Sequence, residues 1–189
     1  MKLLVLDNFD SFTYNLIQLI EESGVLDFDV ISNTMIGFEH INQYNKILLS
    51  PGPGLPKEAG LLKSLISVVA GKIPVLGICL GHQAIAEVFG AKLIQSNRIF
   101  HGEASQVTVL DSENYLFKQI PGKFEAGRYH SWEVDPYTLP VSIRITIIDS
   151  NGSIMGLKHK IFDIQGLQFH PESIMTPFGK EIIYNWLNH

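Results

Sequence analysis

Cys79 is the only cysteine in the chain, and its neighbours are those of a reactive thiol. It ends the apolar run 74–78 and has a glycine two residues away on each side, Gly77 and Gly81. Small residues at those positions let a chain turn sharply from a strand into a helix and expose a nucleophile at the turn. A thiol at a helix N-terminus also meets the positive end of the helix dipole, which favours the thiolate. The alternative is a buried structural cysteine, because free cysteine packs like a small hydrophobic residue.

His170 and Glu172 could supply the proton transfer that a cysteine nucleophile needs. They follow the predicted strand 161–169 at positions i and i+2, which share a face in an extended chain. Pro171 between them biases His170 towards an extended conformation. A carboxylate at that place can accept a hydrogen bond from the imidazole and fix its tautomer, as the acidic member of a catalytic triad does. Short motifs of this kind also occur by chance at surface strand ends, which is the alternative for these two residues alone.

The loop Pro51–Gly54 combines two prolines and two glycines directly after the predicted strand 46–50. The prolines restrict its conformations, and the glycines let a ligand approach the backbone. Such a loop can direct a backbone N–H at the oxyanion that develops when a carbonyl group is attacked. We expect the N–H of Gly52 to act together with that of Leu80, the residue after the cysteine. The alternative is a plain turn, which Pro-Gly pairs form very often.

The other histidines are weaker candidates for chemistry. His82 follows Cys79 so closely that we expect it to enter the helix and point elsewhere. His101 and His130 could line a site, but we expect them to be structural. Three histidines have no supporting context: His40, His159 and His189. No group of His, Cys, Asp and Glu has metal-ligand spacing, and neither a phosphate loop nor a dinucleotide fingerprint is present. The sequence therefore predicts no metal and no cofactor in this chain.

Short apolar strands that alternate with helices position these residues in the first half of the chain. The predicted strands are 2–6, 28–32, 46–50 and 73–78, and the predicted helices cover about 14–24, 58–70 and 83–89. This alternation is typical of βαβ units and of a parallel sheet covered on both faces. Sites in such sheets lie beyond the carboxyl ends of the strands, where both Cys79 and Pro51–Gly54 fall.

After Gly90 the pattern changes to short strands with short links. These strands are predicted at 91–94, 105–110, 131–134, 141–148, 154–158 and 161–169, before a final helix at 176–187. No linker, repeat or low-complexity stretch separates the two patterns, so the sequence predicts a single domain, 1–189.

Composition excludes several classes of protein. The chain has 189 residues, of which 46% are hydrophobic and 17% charged, enough for one domain with a full core. The net charge is -5 without a basic cluster, which argues against nucleic acid and anionic membranes as partners. One cysteine excludes an intrachain disulfide, and no apolar run approaches membrane-spanning length. The apolar start 1–6 is too short for a signal peptide, so we expect a soluble cytoplasmic protein.

Taken together, the three motifs resemble class I glutamine amidotransferases, and the resemblance covers essentially the whole chain. The matching segments are Leu49–Gly54, Gly77–Gln83 and Gln168–Ser173. The resemblance implies an α/β fold with an open, mostly parallel, flavodoxin-like sheet and helices on both faces. It also implies extra antiparallel strands in the C-terminal half.

The resemblance assigns a role to each motif. It implies Cys79 as the nucleophile, His170 as the general base and acid, and Glu172 as the orienting carboxylate. Gly52 and Leu80 look like the two oxyanion-hole donors. The positions implied to hold the substrate, L-glutamine, are Gly52, Pro53, Gly54, Gln83, Ser131 and Trp132. In two places the chain departs from the family: Glu103 stands where lysine is common, and Trp132 where leucine is usual.

The segment Leu6–Leu16 looks like the start of the glutaminase subunits of anthranilate synthase and aminodeoxychorismate synthase. This likeness implies a heteromeric partner, a chorismate-binding synthase subunit that receives the ammonia. Gly54 favours the anthranilate type, in tryptophan biosynthesis, because the sister group often carries cysteine there. Ile154–His159 favours the aminodeoxychorismate type, in folate biosynthesis, and in some cells one chain serves both.

Other functions remain as alternatives. The nearest is a glutaminase subunit for another acceptor, such as a GMP synthetase, against which the segment Asn8–Thr13 argues. A free-standing cysteine peptidase or γ-glutamyl hydrolase could use the same triad without a partner. A non-enzymatic binding module is disfavoured, because all three triad positions are intact.

Overall fold

A nine-stranded sheet forms the centre of the protein in the computed structural model, which describes residues 1–189. Its strand order is β2-β1-β3-β4-β11-β10-β9-β6-β7. The strands are β1 (Leu3–Asp7), β2 (Phe28–Ser32), β3 (Lys46–Leu49), β4 (Val75–Ile78), β6 (Glu103–Val109), β7 (Lys123–Arg128), β9 (Ile143–Asp149), β10 (Ile154–His159) and β11 (Ile164–Leu167). Neighbours from β2 to β11 pair in parallel, and those from β11 to β7 pair antiparallel. A separate antiparallel pair joins β5 (Leu93–Gln95) to β8 (Trp132–Val134).

Four α-helices cover the two faces of the parallel half. They are α1 (Thr13–Glu22), α2 (Leu62–Val69), α3 (Leu80–Val88) and α4 (Gly179–Leu187). Successive side chains of a strand point to opposite faces, and β1 follows this rule. Leu4 and Leu6 belong to the core with α2 and α3, whereas Leu3 and Val5 belong to the core with α1 and α4. Burial on both faces explains why these strands are continuously apolar.

The fold class predicted from the sequence is confirmed, and most element bounds agree within a few residues. The predicted helix 58–70 begins only at Leu62, because Pro56–Glu58 form a separate 3₁₀ turn and Gly60 follows with φ +52°. The strand Lys123–Arg128 was not predicted. None of the helices is both long and apolar enough to cross a membrane.

The topology gathers four chain segments at the carboxyl ends of the parallel strands. Because β1, β3, β4 and β11 are parallel, their carboxyl ends lie side by side. The segments that leave these ends are the turn Asn8–Phe12, the loop Ser50–Gly54, the residue Cys79 and the segment Gln168–Glu172. All residues proposed from the sequence for chemistry lie in these segments or beside them.

Candidate active site

Cys79 occupies the sharp turn between β4 and α3. Its φ is +49°, a left-handed conformation that is uncommon for a residue with a side chain and is often found at functional sites. A Cβ on Gly77 would lie 2.5 Å from the carbonyl carbon of Gly81, and one on Gly81 would lie 2.8 Å from Leu49 Cβ. Both flanking glycines are therefore needed for the turn. The backbone N–H of Cys79 donates to the carbonyl of Leu167 at 2.8 Å, which attaches the turn to β11.

His170 and Glu172 form a buried pair just beyond β11. Nδ1 of His170 donates to Oε1 of Glu172 at 2.7 Å, and both side chains are almost inaccessible to solvent. Nε2 of His170 has no hydrogen-bond partner, so it is the nitrogen left to exchange a proton. The rings of Phe12 and Tyr129 pack against the imidazole edge-on, with centroids 5.6 and 4.8 Å away. These contacts fix the orientation of the ring.

The pKa of His170 lies well above its ordinary value of 6.5. Burial alone would lower this pKa, but the negative charges of Glu172 and Cys79 outweigh that effect, and the hydrogen bond to Glu172 adds to it. A raised imidazole pKa keeps His170 protonated, so that it can serve as a proton donor beside the sulfur of Cys79.

The loop Ser50–Gly54 packs directly against the start of α3. A Cβ on Gly52 would lie 2.6 Å from Cδ2 of Leu80 and 2.7 Å from Cβ of Asn8, so only glycine fits this position. The two residues predicted as oxyanion donors are thus in contact. The hydroxyl of Ser50 accepts a bond from the Asn8 N–H at 2.9 Å and donates to the Pro51 carbonyl at 2.7 Å. These bonds hold the first turn of the loop.

A small cavity of about 140 Å³ opens above the thiol. Its lining contains the predicted nucleophile and all six predicted substrate-binding residues: Cys79, Gly52, Pro53, Gly54, Gln83, Ser131 and Trp132. Tyr129 and His130 complete it. A larger cavity of about 550 Å³ lies between α1 and the segment 171–177 and reaches Glu172 but not the thiol. The smaller cavity is therefore the better candidate for the reacting substrate.

Two amide side chains connect the cavity wall to the thiol: Gln83, which the sequence predicted, and the fully buried Gln168, which it did not. Nε2 of Gln83 donates to the carbonyl of Trp132 at 2.8 Å and to Oε1 of Gln168 at 3.2 Å. Nε2 of Gln168 in turn donates to Sγ of Cys79 at 3.6 Å. Gln168 precedes His170 by two residues, so the alternation that links His170 to Glu172 could also have identified it.

A buried arginine supports the wall of the cavity. Nη1 of Arg128 contacts Oδ2 of Asp149 at 2.6 Å, and Nε donates to Nε2 of His130 at 3.1 Å. Burial and the positive charge of Arg128 lower the pKa of His130 to about 3, so its imidazole is neutral. Because Nε2 accepts, Nδ1 carries the hydrogen and donates to the Trp132 carbonyl at 2.9 Å. His130 is thus structural, as expected, although it also lines the cavity.

The other residues singled out in the sequence lie away from the thiol. His82 is fully buried in α3, packed against Gly166, and burial lowers its pKa to about 4. Glu103 pairs with Arg98 at 2.8 Å on the surface and does not line the small cavity. No group of three or more His, Cys, Asp or Glu side chains is arranged to hold a metal ion.

Comparison with known proteins places the chain in a family. The profile of the class-I glutamine amidotransferases matches residues 4–189. A Bacillus subtilis protein named aminodeoxychorismate/anthranilate synthase component 2 is 42% identical over 187 residues, which are 98% of this chain and 95% of that protein. The bifunctional protein TrpGD of Thermotoga maritima is also 42% identical over 190 residues, 99% of this chain, and the chain spans 32% of its length.

The solved structures give the same result for the fold. A putative GMP synthase protein from Thermoplasma acidophilum superposes with a TM-score of 0.88 at 28% sequence identity, covering 100% of this chain and 92% of that one. This match extends over the parallel and the antiparallel halves of the sheet.

Proposed function

The chain belongs to the class I glutamine amidotransferase family, and we propose that it is the glutaminase component of anthranilate synthase, in tryptophan biosynthesis. In this role it hydrolyses L-glutamine to glutamate and passes ammonia to a chorismate-using synthase subunit. The TrpGD relative supports the tryptophan pathway. The Bacillus subtilis relative, whose name covers both synthases, favours a second candidate: service to aminodeoxychorismate synthase, alone or in addition.

The catalytic proposal rests on one arrangement, the strained Cys79 in the cavity beside the buried pair of His170 and Glu172. The thiolate attacks the carboxamide carbon of glutamine, and the C=O electrons move to oxygen. The tetrahedral intermediate collapses as His170 gives its proton to the leaving nitrogen, which releases ammonia and leaves a γ-glutamyl thioester. Water, deprotonated by His170, then attacks the thioester, so that glutamate leaves and the thiol is restored.

The oxyanion that forms on the carboxamide oxygen needs donors placed in advance. We assign the backbone N–H groups of Gly52 and Leu80, because the Cβ-free Gly52 lies against Leu80. One such donor typically stabilises the transition state by about 3 kcal/mol. Gln83, Ser131 and Trp132 line the same cavity and are proposed to hold the amino-acid end of the substrate.

The proposed partner is the chorismate-binding component of the synthase. The Bacillus subtilis relative is named a component 2, which supports a separate component 1 for this chain as well. Large apolar side chains project at the carboxyl ends of the parallel strands, where the site opens. Phe9 is 60% exposed, and Ile174, two residues after Glu172, is 97% exposed. We propose that the partner docks on this side of the molecule.

The test compares the parent chain with Cys79→Ala in the presence of the synthase partner and chorismate. With glutamine as the nitrogen source, we expect the variant to form no product above background. With ammonium salt as the nitrogen source, both proteins should support the same rate, because the partner alone performs that step. Glutamine hydrolysis by Cys79→Ala near the parent rate would refute the assignment of the nucleophile.

The identity of the product separates the candidate pathways. Anthranilate and aminodeoxychorismate are distinguished by assaying the chain with each type of synthase partner. Glutamine-dependent product with neither partner, together with turnover of γ-glutamyl peptides by the chain alone, would instead favour a free-standing γ-glutamyl hydrolase.

A further inference from the structure

Gln168 is fully buried and stands between the substrate-binding wall and the sulfur of Cys79. Its Nε2 lies 3.6 Å from Sγ, within the range of a hydrogen bond to sulfur, and Sγ is the only partner of that nitrogen. Its Oε1 accepts from Gln83. Both ends of the amide are therefore engaged, with the nitrogen directed at the sulfur.

The direction of the Gln168 amide follows from its neighbours. The carbonyl of Trp132 can only accept, so Gln83 must present its NH₂ group to it. The second hydrogen of that NH₂ group is donated to Gln168, which must therefore accept it with its oxygen, Oε1. Gln168 is left with its own NH₂ group facing the sulfur. A flipped amide would place two oxygens, or two NH₂ groups, against each other in a buried site.

A second donor, oriented by a permanent charge, holds the Trp132 carbonyl in place. Arg128 donates to His130, and His130 donates to the same Trp132 carbonyl that Gln83 uses. Arg128 cannot lose its proton at ordinary pH, so the His130 tautomer that donates to this carbonyl is determined. The carbonyl is thus fixed in place as the acceptor that orients Gln83.

We propose that Gln168 is a catalytic residue that donates a hydrogen bond to the Cys79 thiolate, a role that rests on the proposed function of Cys79 as nucleophile. Hydrogen bonds to an ionised acceptor are stronger than those to a neutral one, so this donor favours the thiolate over the thiol. When the thiol ionises, its proton moves to Nε2 of His170 and the electron pair stays on sulfur. Both amide hydrogens remain on Gln168.

The donor acts in a site with several other titratable groups. His170 faces the sulfur, with Glu172 behind it. Tyr129 and His130 reach the same cavity from the segment that follows β7. Replacing Gln168 leaves all four groups in place, so a change in thiol reactivity between variants reports the amide.

The experiment measures the rate at which iodoacetamide alkylates Cys79, the single cysteine, as a function of pH. In Gln168→Leu we expect alkylation at pH values below the midpoint to be about tenfold slower, because a hydrogen bond to a charged group is lost. The pH midpoint of alkylation should rise by about one unit. Gln168→Glu, which replaces the donor by a carboxylate, should raise the midpoint further.

Gln165→Leu is the matched control. Gln165 is a second buried glutamine three residues earlier on β11, and its Oε1 accepts from Asn114 at 2.7 Å, away from the sulfur. We expect this variant to lower stability without moving the alkylation midpoint. If neither substitution at Gln168 moves the midpoint in a folded chain, the proposal is wrong.

A measurement on the parent chain keeps the test independent of how well the variants fold. The side-chain NH₂ resonances of Gln168 should titrate with the same midpoint as alkylation, and resonances that stay constant through that pH range would overturn the proposal. Failure of the proposed function would look different. In that case Cys79→Ala would keep glutamine hydrolysis, whereas the alkylation midpoint would still respond to Gln168.

Discussion

The side chain of Asn8 donates from Nδ2 to the backbone carbonyl of Ser50 at 2.8 Å, while the backbone N–H of Asn8 donates to the Ser50 hydroxyl at 2.9 Å. Asn33 completes the cluster with a bond to Oδ1 of Asn8 at 2.9 Å. All three side chains are buried, so water cannot replace a lost partner. The turn after β1 is thus fixed to the loop that carries Gly52.

Asn8→Ala should therefore impair catalysis as well as stability. It leaves the Ser50 carbonyl and the Asn33 amide without partners, which costs about 1–3 kcal/mol for each buried group. We expect kcat for glutamine to fall about tenfold with a smaller change in KM, because oxyanion donors act mainly in the transition state. Asn45→Ala, an exposed asparagine at the other end of β3, is the control. A destabilised Asn8→Ala protein with the parent kcat would show that the cluster is only structural.

Glu172→Gln should lower the glutaminase rate less than His170→Ala does. The orienting amide can still accept the bond from Nδ1, whereas the proton carrier has no substitute. In a serine protease, loss of the orienting carboxylate costs about 10⁴-fold and loss of the base about 10⁶-fold. Steady-state kinetics at one pH decide the order, and a larger loss at Glu172 would reverse the two roles.

The pH profile of Glu172→Gln gives a second readout. The charge of Glu172 is the main effect that raises the pKa of His170 against the opposing effect of burial. Without that charge the imidazolium loses its proton at lower pH. The alkaline limb of kcat should therefore move to lower pH, and a limb that stays in place would show that another group controls it.

How far the sequence alone could lead depends on whether a signal is local. Gly77 and Gly81 indicate the turn in the sequence because no side chain fits at either position. The strands β1, β3 and β4 are buried throughout, so each appears in the sequence as a continuous apolar run. These features made the parallel half of the sheet and the turn at Cys79 predictable. Motifs that match a family nearly letter for letter supplied the proposed residue roles.

Features that arise from long-range pairing were missed. β7 alternates only weakly, and its Gly127 is needed because Ser173, distant in sequence, packs 2.7 Å from where a Cβ would be. Arg128 looks like an ordinary surface cation in the sequence, yet it is almost fully buried by its pairing with Asp149. No local spacing connects these residues. Gln168 is the exception, since it precedes His170 by two residues and therefore shares its face of the extended segment.

The neutral His82 should make folding sensitive to acid. Burial lowers its pKa from 6.5 to about 4 in the folded state, so the unfolded chain binds the extra proton between these values. Stability from this group is therefore complete above pH 6.5 and is lost as the pH falls towards 4, by up to about 3 kcal/mol.

The measurement is urea unfolding of the parent and of His82→Leu across that pH range. The carboxylates contribute equally to both proteins, so their difference isolates His82. We expect the variant to lose less stability on acidification than the parent, while His40→Gln, at an exposed site, should follow the parent curve. Parallel curves for the parent and His82→Leu would mean that His82 is not held neutral by the fold.

The last prediction concerns coupling between the proposed partner and the active site. The turn Asn8–Phe12 contacts two parts of the candidate site. Asn8 is hydrogen-bonded to Ser50 at the start of the Gly52 loop, and the ring of Phe12 packs on that of His170 with centroids 5.6 Å apart. Between them, Phe9 projects 60% exposed into solvent with φ +63°. A protein that binds Phe9 would therefore act through one short turn on the proposed oxyanion loop and on the proposed general base, His170. We hypothesise that the isolated chain hydrolyses glutamine slowly and that the chorismate-binding partner raises the rate by stabilising this turn.

The partner can do so only through a higher affinity for the competent conformation. A tenfold activation requires about 1.4 kcal/mol of such preference if the competent state is the minor one. Glutaminase rates with and without saturating partner and chorismate measure the activation, and Phe9→Ala should reduce it more than it reduces the basal rate. Ile161→Ala is the control. Ile161 is 84% exposed but precedes β11, so it lies at the amino ends of the parallel strands, away from the site. If the isolated chain already hydrolysed glutamine as fast as the complex, this coupling would be ruled out, because the partner would have no conformational preference left to supply. A free-standing hydrolase would then be the better explanation of the site.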